Sequence, residues 1–187
     1  MNQMNLVFCS LLAGWLCWFS TEIQAARLYE DFNSKSFTRY EPAGHQLDPE
    51  NLDTNLLAAA VFHETNARRI AKGLPALKFH AGARKAAEIQ ARIMAERGDI
   101  SHRNARRKDL KTLKDRLKAA GLQPRFAAEN VATAFGWQYD SGRSFYPRTK
   151  NGQTVISYTP DGPAIPPHTY LSFAESLLDG WMNSPGH

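Results

Sequence analysis

Six histidines, eighteen acids and two cysteines are the residues of this 187-residue chain from which a reactive or metal-binding centre could be assembled. No two histidines stand four apart, the spacing that puts a pair of ligands on one helix face. His63-Glu64 starts like a zinc-protease helix, but the second ligand would fall on Ala67. His63 therefore reads as a histidine of the helix surface or core edge. No Gly-x-Ser-x-Gly elbow offers a nucleophilic serine. Gly136, Gly142 and Gly152 are spaced as turn residues, not as a phosphate-cradling loop, which argues against nucleotide chemistry.

The densest charge run is basic: Arg103, Arg106, Arg107, Lys108, Lys111, Lys114, Arg116 and Lys118. It could meet a polyanion through counterion release. A leucine stripe within it and the lack of aromatics favour a plain solvated face and argue against nucleic acid.

Both cysteines, Cys9 and Cys17, lie in the 14-residue apolar run from Leu6 to Phe19. A bilayer-spanning helix needs about 20 residues, so the run suits the core of an export signal. Residues 1–25 are expected to be a signal peptide cleaved after Ala25, although no Lys or Arg precedes the apolar run. With them removed, no cysteine and no membrane-spanning stretch remain, which excludes thiol chemistry and disulfide scaffolds. The formal charge of +5 rises by one, because Glu22 is lost and no base is. The expected location is periplasmic or extracellular.

With 43% hydrophobic residues the rest is ordinary for a globular chain, and one domain is expected. Residues 26–53 show no sustained period and read as an irregular lead-in. From Asn55 the positions Leu56, Leu57, Ala60, Val61, Ala67, Ile70 and Ala71 predict a helix that stops at Gly73 and Pro75. A second helix is predicted over 81–97, with Ala83, Ala86, Ala87, Ile93 and Met94 inward and Gly98 as its stop. A third is predicted over 108–120, closed by Gly121. Asn151-Gly152 between two β-rich runs predicts a hairpin. The last helix is predicted from Ser172, with Ser172 and Glu175 as a capping box and Ala174, Leu177, Leu178 and Trp181 inward.

Four segments in order carry a more specific message. Glu64-Thr65-Asn66-Ala67-Arg68-Arg69 precedes Gly73-Leu74-Pro75-Ala76-Leu77; an Ala-rich helix ends in Gly98-Asp99-Ile100-Ser101-His102; then come Ala128-Glu129-Asn130-Val131-Ala132 and Trp181-Met182-Asn183-Ser184-Pro185-Gly186-His187. Together they resemble the CAP superfamily, the SCP-like secreted domain, the last segment being similar to its bacterial version. The resemblance implies an α+β fold, an α-β-α sandwich, over residues 54–187. It also implies a cleft in which His102, Glu129 and His187 would sit, suited to zinc or another divalent cation.

Ala128 stands where the family has Gly, and Ser184 where its second cleft acid is expected. Glu175 and His168 are accessory candidates for the cleft. The segment 136–167 is a long insertion, expected to form a lid or extra hairpin. The family continues into further strands, so the C-terminal strands of the sandwich are expected to be missing from this chain.

The leading functional expectation is a secreted binding domain, non-enzymatic, holding a divalent metal and a small apolar, lipid- or sterol-like or envelope ligand. The alternatives are a metal-dependent hydrolase acting on peptide or cell-wall material, and a basic polyanion or envelope binder.

Overall fold

The structure, a computed structural model, describes residues 25–150 and 152–185. The signal-peptide reading of 1–24, Asn151 of the hairpin turn and the terminal Gly186 and His187 lie outside the described residues. Ala25, the expected cleavage residue, is buried in a helical stretch over 25–30.

Among the described residues, four helices of seven residues or more organise the chain: α1 (Thr54–Ala71), α2 (Ala81–Arg97), α3 (Leu113–Ala119) and α4 (Tyr170–Met182). Helix α1 begins where Asp53 accepts from the amides of Asn55 and Leu56, at 2.9 and 3.0 Å. Its end is followed by Gly73, at a φ of +70° that glycine adopts without strain. Helix α2 ends at Gly98 in the same left-handed conformation, as its sequence predicts. The face that α2 buries is narrower than predicted: Ala86, Gln90 and Ile93 are buried, while Ala83 and Ala87 face solvent.

Two helix boundaries differ from the sequence reading. The predicted helix 108–120 is a 3-10 turn, Lys108–Leu110, followed by the shorter α3. The cause is local: Thr112 and Asp115 form a capping box, with Asp115 Oδ2 accepting from the Thr112 amide at 2.9 Å, so a new helix begins there. Helix α4 likewise starts two residues before Ser172. Thr169 is its cap and Ser172 the return partner, the Ser172 amide donating to Thr169 Oγ1 at 3.1 Å and the Thr169 amide to Ser172 Oγ at 2.9 Å. Glu175 plays no part in that box and is exposed.

The main core lies between α1, α4 and the segment before α1. Leu56, Ala59 and Ala60 meet Tyr170 and Ala174, and Tyr29, Phe37, Ala43 and Leu47 close the cluster. The lead-in expected to be irregular thus contains short helical turns, Ser34–Phe37 and Glu41–Gly44, and supplies much of the core. Its aromatics explain this. Tyr29 stacks on Phe79 at 4.1 Å, Phe32 meets Phe37 edge to face, and Phe37 stacks on His63 at 4.2 Å. His63 is buried, not at a helix surface, and its Nε2 lies 2.7 Å from the Leu28 carbonyl. Across the α1–α4 seam, Arg68 bridges Glu64 at 2.6 Å and Asp179 at 2.7 Å.

The sheet of the described residues has two antiparallel strands, β1 (Tyr146–Lys150) and β2 (Gln153–Ser157). The register pairs Lys150 with Gln153, leaving a two-residue turn in which Gly152 has a φ of +79°. This is the predicted hairpin. The chain then returns beside it, Ile165 N–H donating to the Ile156 carbonyl at 2.7 Å; a bridge from Trp137 to Pro167 joins the two ends of the segment 136–167, and one from Gln46 to Thr169 ties the cap of α4 to the lead-in. The content is α+β. No helix among the described residues is long and apolar enough to cross a membrane.

Candidate functional site

Helix α2 delivers its last turn to a loop whose shape is set by buried amides. Gln90 donates to the Ser101 carbonyl and accepts from Asn104 Nδ2 at 2.8 Å. Asn104 also donates to the Leu110 carbonyl at 2.8 Å, and its own amide donates to the Lys111 carbonyl at 2.9 Å. Ser101 Oγ closes the turn by accepting from Arg103 N–H at 3.0 Å. Gln90 and Asn104 are both almost wholly removed from solvent, so the loop between α2 and α3 is pinned from within. His102 sits at its tip, 56% exposed.

Opposite it stands Glu129, on an irregular segment after α3. Its side chain is 12% exposed, and both oxygens are engaged. Oε2 lies 3.0 Å from His102 Nδ1, and Oε1 accepts from Arg116 Nη2 at 2.5 Å. Arg116 projects from α3 with a side chain of 0% exposure, and its Nη1 donates to the His102 carbonyl at 3.4 Å. One guanidinium therefore holds both the carboxylate and the backbone of the histidine that the carboxylate contacts. Such charge-assisted bonds are about twice as strong as neutral ones.

Arg116 is the functional residue that the sequence reading missed. Within the basic run it read as one more solvated charge, yet it is buried beside Leu117 while Lys114 and Lys118 on the same helix are exposed. The leucine stripe 110, 113, 117 was the available signal, because Arg116 adjoins its inward side.

Of the three residues that the resemblance placed in the cleft, the structure brings His102 and Glu129 together, and His187 lies outside the described residues. Glu175 is exposed on α4. His168 contacts Ser172 Oγ through Nδ1 at 2.9 Å and Phe173 edge to face, and burial pushes its pKa below the usual imidazole value. Among the described residues, no hydrogen bond or ion pair joins either accessory candidate to His102 or Glu129, and no group of three His, Cys, Asp or Glu side chains is placed to hold a metal. The insertion 136–167 forms the expected extra hairpin. Its Tyr139 and Phe145 form an aromatic patch with Phe135, ring centroids 5.2 to 5.5 Å apart, and its Gly136 carbonyl accepts from the His168 amide just before α4 at 2.9 Å.

Glu64-x-Asn66 of the first motif has a structural task. Asn66 is buried and clasps Leu77 through both backbone groups, donating to its carbonyl at 3.1 Å and accepting from its amide at 2.7 Å. Glu64 holds Arg68. These bonds fix the exit of α1 and the link to α2, and hence the start of the helix that leads into the His102 loop.

Among the described residues His102 is one oriented imidazole and not a ligand group of three. An imidazole whose Nδ1–H donates to a carboxylate presents a free Nε2 lone pair, the usual second-shell arrangement of a metal-bound histidine. Glu129 fits as that orienting carboxylate better than as a direct ligand, because its second oxygen already faces a guanidinium.

A helical α+β domain with an imidazole held by a carboxylate, itself held by a buried arginine, is the class of protein that fold and site define. Residues 62–187 match the model of the cysteine-rich secretory protein family, CAP, and the chain belongs to that family. The matched region contains no cysteine. The comparisons with curated proteins and with solved structures gave no match.

Proposed function

We propose that this CAP-domain chain is an exported, periplasmic or extracellular binding protein, without enzymatic activity of its own, whose His102 site takes a divalent cation such as zinc. The observation that carries the reading is the contact of His102 Nδ1 with Glu129 at 3.0 Å, under the clamp of Arg116. His102 would ligate through Nε2, Glu129 would fix the ring and its tautomer, and His187 would be the second imidazole. A bound cation would supply a point of attachment for an anionic or carbonyl group of a small apolar, lipid-like or envelope ligand. The α-β-α sandwich of the family belongs to the same reading.

Zinc titration by calorimetry tests the site. His102→Ala is expected to abolish binding, and Glu129→Gln to weaken it about 10- to 100-fold, as loss of an outer-shell partner does. Unchanged affinity in both variants overturns the assignment.

A further inference from the structure

We infer that the surface around the Arg116 clamp is a docking face for a bilayer containing anionic phospholipid. Three chain segments meet there. The loop 98–111 joins α3 through the bond from Arg116 Nη1 to the His102 carbonyl, 3.4 Å, and the segment after α3 joins both through Glu129. What they present outward is cationic. Arg103, Lys111, Lys114, Lys118 and Arg125 are all exposed, and among the described residues none of their side chains has an ion-pair partner. The acids close to them in the chain have other partners, although the Asp115 charge also reaches Lys114. Asp109 faces Arg107 at 3.3 Å, and Asp115 is held in the capping box by Thr112 at 2.7 Å.

Charge alone would suit any polyanion, but two apolar side chains stand within the same three segments. Phe126, next to Arg125 and three residues before Glu129, is 90% exposed, and Ile100, two residues before His102, is 51% exposed. A hydrated soluble polymer gives an isolated phenyl ring nothing to pack on. An anionic bilayer gives the cations their counter-charges at the headgroup level and the ring an apolar layer just beneath it. A small anion would need donors that converge on one point, whereas these cations are spread over the length of α3 and its flanks. Single-stranded nucleic acid would need a row of aromatic platforms, and these three segments, residues 98–131, hold a single Phe, Tyr or Trp, Phe126.

Flotation of the full chain with vesicles tests the inference. The readout is the gain in binding when phosphatidylglycerol is added to phosphatidylcholine, because residues 1–25 carry no Lys or Arg and contribute alike to both lipids. The gain is expected to shrink as salt is raised. It should fall at least about tenfold in Lys114→Glu/Lys118→Glu, each basic residue near such a surface contributing a severalfold factor. Phe126→Ser is expected to weaken binding to the mixed vesicles while preserving the salt dependence.

No gain with phosphatidylglycerol, or a gain that survives in the double Lys variant, overturns the inference. Retention on soluble heparin without vesicle binding also overturns it and makes the face a soluble-polyanion site. Zinc titration and vesicle flotation are independent measurements on the intact chain, so the two readings fail separately.

Discussion

Arg116 shows how far the meaning of a single residue depends on its neighbours. In the sequence it is one of eight cations in a sixteen-residue run, and only the fold separates it from the rest. Its buried guanidinium holds Glu129, so removing it leaves a carboxylate largely withdrawn from water with no counter-charge. Breaking such a pair costs about 3–5 kcal/mol. Arg116→Leu is expected to lower stability by that amount in urea denaturation, whereas Lys114→Ala should change it little. His63 makes the complementary point about titration. Burial pushes its pKa below the ordinary value of 6.5, against a smaller upward pull from the Leu28 carbonyl. The unfolded chain therefore binds a proton at His63 more readily than the folded one, and folding stability drops as pH falls below about 6.5. His168, depressed by burial as well, adds to the same slope. His63→Phe is expected to flatten the part of the pH–stability curve between neutrality and the carboxylate range, as read from urea midpoints.

Periodicity, glycine stops and the hairpin dipeptide read true at the level of elements because each is settled by bonds within a few residues. Helices α1 and α2 and the β1–β2 hairpin stand where the pattern puts them. The two boundaries that moved were settled by which of several competent residues won the cap. Thr112 took the start of α3 from Lys108, and Thr169 took the start of α4 from Ser172. A sequence in which Thr, Ser, Asp and Glu all stand at capping spacing does not by itself rank them. The residues of the site were legible as His102 and Glu129 through their motif, but the clamp on them was not, since Arg116 reaches Glu129 thirteen positions away across an irregular segment. The cap of α4 is directly testable. Thr169→Ala should cost about 1 kcal/mol of stability, the usual value for losing an N-cap side chain. Glu175→Ala should cost almost nothing, and the opposite ranking in thermal melts would restore Ser172 as the cap.

The whole molecule turns on the segment before α1. Read as a sequence, residues 26–53 lack any sustained period, because their aromatics are delivered by single turns and not by one long helix or strand. In the fold they close the core: Phe37 is 1% exposed between Phe32, Tyr40 and His63, and Tyr29 lies between Phe62 and Phe79. The face of α1 that carries Leu56, Ala59, Ala60 and His63 would otherwise be open on that side. The match to the CAP family begins only at residue 62, within α1, so the lead-in and the first two turns of the helix lie outside it. A chain beginning at residue 54 keeps all of α1 and the whole matched region yet loses Tyr29, Phe37, Ala43 and Leu47 from the core. Such a chain is expected to bind a hydrophobic dye and to unfold without a sharp transition. In the intact chain, Phe37→Ala should cost about 3–5 kcal/mol, the range for truncating a buried phenyl ring. A chain from residue 54 that melts cooperatively, together with a Phe37→Ala variant of unaltered stability, would make the segment an appendage instead of a wall of the core.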